Sequence, residues 1–114
     1  MIALIDISVT PASATTENWE WCQGNEICLY DGANGTNHLV TYADPTCNHL
    51  INFGLSGYGD RTTSVWNTTG HPLRLYNWLA NIKEFSLIQG IGAGVQMTLN
   101  PTVDNIADAV EMAC

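Results

Sequence analysis

From Trp19 to the C-terminus, apolar and polar positions alternate in short runs separated by Gly and Asn. Alternation with a period of two predicts half-buried strands. Asp31-Gly32 and Asn34-Gly35 are strong turn signals between such runs. Gly54, Gly57, Gly59 and Gly70 punctuate the middle of the chain, and Gly90-Ile91-Gly92-Ala93-Gly94 reads as a flexible turn between strands. The first residues differ. Ala3–Val9 partly alternates, which predicts a short strand, and Pro11–Thr16 reads as a linker. Residues 1–18 are therefore read as an extended N-terminal arm, and 19–114 as the domain.

An internal repeat organises that domain. Ile27-Cys28-Leu29-Tyr30-Asp31 resembles Leu73-Arg74-Leu75-Tyr76-Asn77, and Asp60–Val65 resembles Asn105–Val110 in position. Two anchors recurring at nearly one offset predict a duplication, with copy one at about 22–69 and copy two at about 70–114. Each copy has room for four short strands, the size of one Greek key, and two such keys would pack as a sandwich. One stretch disputes this. Ile106, Val110 and Ala113 have helical spacing, with Thr102 or Asp104 as a candidate cap. The repeat predicts a loop and then a strand there, and tertiary context overrides local propensity.

The fold class predicted is thus all-β, in a chain of 114 residues with 11 acidic and 3 basic side chains and a net charge of -8. That balance opposes binding to nucleic acid, which requires Lys and Arg against phosphates, and opposes docking on anionic membranes. It suits a soluble domain or a partner with a basic surface. No apolar run is long enough to span a bilayer. Met1–Ile5 is too short for a signal-peptide core and is followed by Asp6, so the sequence reads as a mature form with an added Met.

The cysteines are Cys22, Cys28, Cys47 and Cys114. They lack the tight pairs or His spacings of a zinc site, so two disulfides are the better reading. Four cysteines allow three connectivities. Cys22–Cys28 with Cys47–Cys114 is favoured, because the second bridge would close a long loop and tie the C-terminus to the first half. It would be worth ~4 kcal/mol in the chain-entropy model. Disulfides imply an oxidising, extracellular compartment.

The string from Cys22 to Gly32, CQGNEICLYDG, and the string from Gly57 to Gly70, GYGDRTTSVWNTTG, resemble the secreted bacterial βγ-crystallin-like family that includes actinobacterial peptidase inhibitors and killer-toxin-like proteins. The resemblance runs from about Cys22 to Val110 and is more specific in the first half. It implies a βγ-crystallin sandwich of two Greek keys and secretion. The activities it implies are protein binding, peptidase inhibition or toxin-associated roles, and calcium binding in some members. A fold alone does not choose among these.

The family's calcium loop runs Asn/Asp, Asn/Asp, two free residues, Ser/Thr, Ser, and supplies the oxygen ligands that hard cations require. Here copy one offers Asp60, Thr63 and Ser64 but has Gly59 at the first position. Copy two offers Asp104, Asn105 and Asp108 but ends on Ala109. The bland and preferred reading is that these side chains hold the loops by hydrogen bonds to the backbone. No cofactor is required, and calcium is the one metal the loops could take.

Catalysis has little support. His38, His49 and His71 are dispersed, no G-x-S-x-G elbow exists, and the 90–94 glycines lack the phosphate-loop Lys. The chain is read as a non-enzyme. Tyr30, Trp66 and Tyr76 are read as core. Trp19 and Trp21 would share one face if extended, and would cover the sandwich or meet a partner. Leu4, Ile5, Ile7 and Val9 of the arm are candidates for strand addition to a partner, as in a protease cleft. The functional expectation is a secreted protein-binding module, in particular a peptidase inhibitor that docks the arm or the Gln23–Ile27 loop. The alternatives are an adapter in a secreted toxin assembly, tethered by the arm, and a calcium-stabilised crystallin.

Overall fold

The computed structural model describes residues 19–114. Its strands are β1 (Glu26–Tyr30), β2 (His38–Ala43), β3 (Leu50–Ile51), β4 (Ser64–Asn67), β5 (Leu73–Leu79), β6 (Glu84–Ile91), β7 (Gln96–Thr98) and β8 (Ala109–Met112). They form two four-stranded sheets in the orders β2-β1-β4-β7 and β3-β8-β5-β6, with every strand pair antiparallel. Replacing β1, β2, β3 and β4 by β5, β6, β7 and β8 turns one order into the other. The third strand of each set of four lies in the opposite sheet. This is the crystallin arrangement of two Greek keys. Pro101–Asn105 makes turns rather than a helix, and β8 follows as a strand.

Alternation decides what each strand buries. Ile27 and Leu29 of β1, Val65 of β4, Leu73 and Leu75 of β5 and Val110 of β8 point inward and form the core with Phe53, Ile91 and Leu99. Arg74, between two inward leucines, points outward and meets Glu111 across the β5–β8 register. The 90–94 segment is only partly a turn. Gly90 and Ile91 belong to β6, and Gly92–Gly94 makes the bend, with Gly94 at φ 77°.

Two disulfides join Cys22 to Cys28 and Cys47 to Cys114. The second ties the segment before β3 to the end of β8. Asn67, at the end of β4, is fully buried. Its amide nitrogen donates toward the carbonyls of His71, Ile91 and Gly92, and its oxygen accepts from the Thr69 amide and hydroxyl. One side chain thereby fixes the linker into β5 and the turn after β6.

The aromatic positions correct the sequence expectation. Tyr30 and Trp66 do not join the core between the sheets. They lie on the outer face of the first sheet, where Trp19 packs edge-on against both at 5.4 and 6.2 Å. Tyr30 is fully buried beneath that cover, and burial, with Glu20 and Glu26 adding to it, pushes its phenol up to about 12. It stays protonated and donates to the Glu20 carbonyl at 2.7 Å. Tyr76, its counterpart, is half-buried and donates to the Glu111 carboxylate at 2.8 Å. Trp19 and Trp21 do not share a face, because the segment is not extended. Both have left-handed backbones, φ 48° and 61°, so Trp19 turns onto the sheet while Trp21 is 71% exposed. Gly35 admits this cover. It has φ +71°, and a Cβ there would meet the Trp19 backbone nitrogen at 2.5 Å, the atom that donates to the Gly35 carbonyl.

Candidate functional site

The first candidate is the loop between the paired cysteines. Gln23, Gly24 and Asn25 are exposed, yet the loop is held throughout. The Cys22–Cys28 bridge closes it. The Gln23 amide donates to the Glu26 carboxylate at 2.6 Å, and the Thr68 hydroxyl donates to the Gln23 carbonyl. The Asn25 amide donates to the Thr68 carbonyl at 3.0 Å, and its side chain to Asp44 at 3.0 Å. Asn25 takes φ 60°, which asparagine tolerates. Beside the loop, Trp21, Gln23, Glu26, His38 and Thr41 line a shallow depression. His38 bonds Thr41 at 2.7 Å, and burial lowers its proton affinity. Leu4, Ile5, Ile7 and Val9 lie outside the described residues.

The second candidate is the pair of loops that precede β4 and β8. They face each other across the approximate two-fold axis and exchange backbone bonds. The Asp60 amide donates to the Ala107 carbonyl, and the Asn105 amide to the Thr62 carbonyl, both at 3.0 Å. Each loop end then meets the opening of the other. Thr63 donates to Asp104 at 2.7 Å and lies 3.2 Å from the Asn105 oxygen, so this half is closed by its own hydrogen bonds. Ser64 joins neither cluster. Its hydroxyl donates to the Gly32 carbonyl at 2.6 Å and accepts from the Gly35 amide.

The other half differs. Asp60 and Asp108 line one cleft, close enough for the charge of one to act on the other. Burial, then the Asp108 charge, raises the Asp60 carboxyl above the ordinary carboxylate range. Asp108 also accepts from the Trp78 amide at 2.9 Å. A Cβ on Gly59 would meet the Asp108 oxygen at 2.7 Å, so glycine here leaves room for that carboxylate. The pair lies in a cleft of about 620 Å³ lined by Asn52, Leu55, Asp60, Asn77, Trp78 and Asp108, among others. Two carboxylates and two amide side chains offer oxygens to a hard cation. Sequence reasoning found the two acids but missed Asn52, Leu55, Asn77 and Trp78. Their only signal was apolar or amide character, which strand and turn residues share.

A disulfide-stapled double Greek key defines a fold class, the crystallin-like sandwiches. Within it the assignment is specific. The model of peptidase inhibitor family I36 matches residues 15–79, more than half of the chain, and the chain belongs to that family. The match takes in the clamped loop and ends with β5. No curated protein and no solved structure matches the chain significantly.

Proposed function

We propose that the chain is a secreted peptidase inhibitor that presents the Cys22–Asn25 loop to its target. Membership of an inhibitor family supplies the partner class, a peptidase. The observation that carries the loop assignment is its combination of exposure and fixation, with a disulfide at one end and Thr68 and Asp44 at the other. An inhibitory segment must enter a cleft without being reordered there. Fixing its shape beforehand removes much of the entropy lost on binding. Two disulfides fit an extracellular setting. The test is residual activity of purified metallo- and serine peptidases titrated with the chain. Activity should vanish near stoichiometric ratio for at least one enzyme. Undiminished activity across both classes defeats the reading.

A second reading, calcium binding, is favoured by the facing carboxylates of Asp60 and Asp108. It requires millimolar calcium to raise the melting temperature and chelator to reverse the rise. An unchanged melting temperature removes it.

A further inference from the structure

The two halves of the fold are not equally covered. On the first sheet, Trp19 seals the outward Tyr30 and Trp66. On the second sheet the corresponding positions are Tyr76 of β5 and Glu111 of β8, which are half-buried, with the Phe85 ring edge-on to Tyr76 at 6.4 Å. The hairpins differ as well. Tyr30 pairs with His38 just after a bulge, and Tyr76 pairs with Leu87 just after the equivalent bulge. In the second copy the strands continue past this point through the pairs Asn77–Ser86, Trp78–Phe85 and Leu79–Glu84. This added length carries Trp78 and Ile82, and Leu87 sits at its base. They are 42%, 54% and 57% exposed.

The cleft opens where this hairpin meets the Phe53–Ser56 turn. Its lining brings together apolar Leu55, 85% exposed, and Trp78, braced by Phe85 with ring centres 4.9 Å apart, with the carboxylates of Asp60 and Asp108. Of the three cations, Arg61 pairs with Asp31 and Arg74 with Glu111, while Lys83 stands at the tip of the hairpin and is not part of the cleft lining. We propose that this cleft receives an arginine side chain presented by a partner protein, with the exposed face of the β5–β6 hairpin as the surrounding contact. A guanidinium matches all the features at once. Its planar fork suits paired carboxylates, its face stacks on an indole, and its aliphatic stem packs on Leu55. A metal ion would use the oxygens and leave both apolar walls without a role. The chain's net charge of -8 complements a basic partner surface. The inference rests on the protein-binding reading and assigns a contact distinct from the disulfide-bound loop.

The test uses the full chain, isotope-labelled, titrated with an acetylated, amidated Leu-Arg-Leu peptide and with its citrulline counterpart. Amide and indole shifts should concentrate at Leu55, Asn77, Trp78 and Asp108. The citrulline peptide should bind roughly tenfold more weakly, the ratio expected for losing one charge-assisted contact. Leu55→Ala, at an exposed position that leaves the core intact, should weaken the arginine peptide without lowering the melting temperature. Asp108→Asn should weaken it as well. Equal binding of the two peptides, shifts elsewhere, or no shifts at millimolar peptide would each overturn the proposal. So would calcium chloride alone reproducing the shifts and excluding the peptide. Free arginine amide binding as tightly as the peptide would overturn the assignment to a protein partner. The titration reads the cleft directly, so its outcome does not depend on whether the chain inhibits a peptidase. Conversely, inhibition that survives Leu55→Ala and Asp108→Asn leaves the loop reading in place.

Discussion

Asn67 concentrates more hydrogen bonding than any strand-end residue described above, and its neighbours depend on it. Removing its side chain takes a donor from the carbonyls of His71, Ile91 and Gly92, leaving the first with only the Thr69 hydroxyl and the last with only the Val95 amide, and empties a fully buried site. Asn67→Ala should destabilise the fold by about 3 kcal/mol, read as a lower urea midpoint at unchanged slope. Asp60 makes a prediction of opposite sign. Its proton is held more tightly in the fold than in the unfolded chain, because of burial and the Asp108 charge. Ionising it therefore destabilises the fold. The penalty is absent below the unfolded value and complete above the raised folded one. Asp60→Asn should raise the melting temperature at neutral pH, and the gain should fade below about pH 4. An equal gain at both pH values would show that charge is not the cause. The sequence announced Asp60 through its motif but gave no hint of Asn67. An asparagine at the end of a strand looks like a turn residue until the turn after β6 folds against it.

The two disulfides act on different elements. Cys22–Cys28 spans a sequence separation of 6, and Cys47–Cys114 one of 67. In the chain-entropy model their removal costs ~2 and ~4 kcal/mol respectively. The Cys47→Ala/Cys114→Ala variant should therefore unfold at the lower temperature while its folded form still inhibits. The Cys22→Ala/Cys28→Ala variant should lose inhibition out of proportion to its stability. Matching losses of inhibition in the two variants would remove the loop's special role. Strands and turns were legible from alternation and from the Asp-Gly and Asn-Gly pairs. The bend at Trp19–Trp21 was not, since left-handed tryptophans are disfavoured locally and Trp19 is held there by the sheet it covers. The long β5–β6 hairpin was hidden for a related reason. The bulge at Leu75–Tyr76 resembles the one at Leu29–Tyr30, and nothing in the residues marks that only the second hairpin runs on.

At the scale of the whole molecule, the exchange of third strands makes the halves interdependent. A fragment of residues 1–69 lacks β7, and one of 70–114 lacks β3, so each sheet would lose its outer partner. Each fragment should be unfolded alone by circular dichroism, and mixing them should restore strand signal. A fragment that folds by itself would contradict this. The duplication was visible in the sequence because it repeats residue types. The cleft was not, because it draws on positions near 52–55, 60, 77–80 and 108 that meet only after both sheets pack. The bridge from Cys47 to Cys114 has a last consequence, for survival among hydrolases. Every peptide bond between those positions lies inside a covalent ring, including those at the exposed tip Ala80–Lys83. A single cut there opens the ring but releases nothing. The nicked chain migrates as one species on a non-reducing gel and as two once reduced.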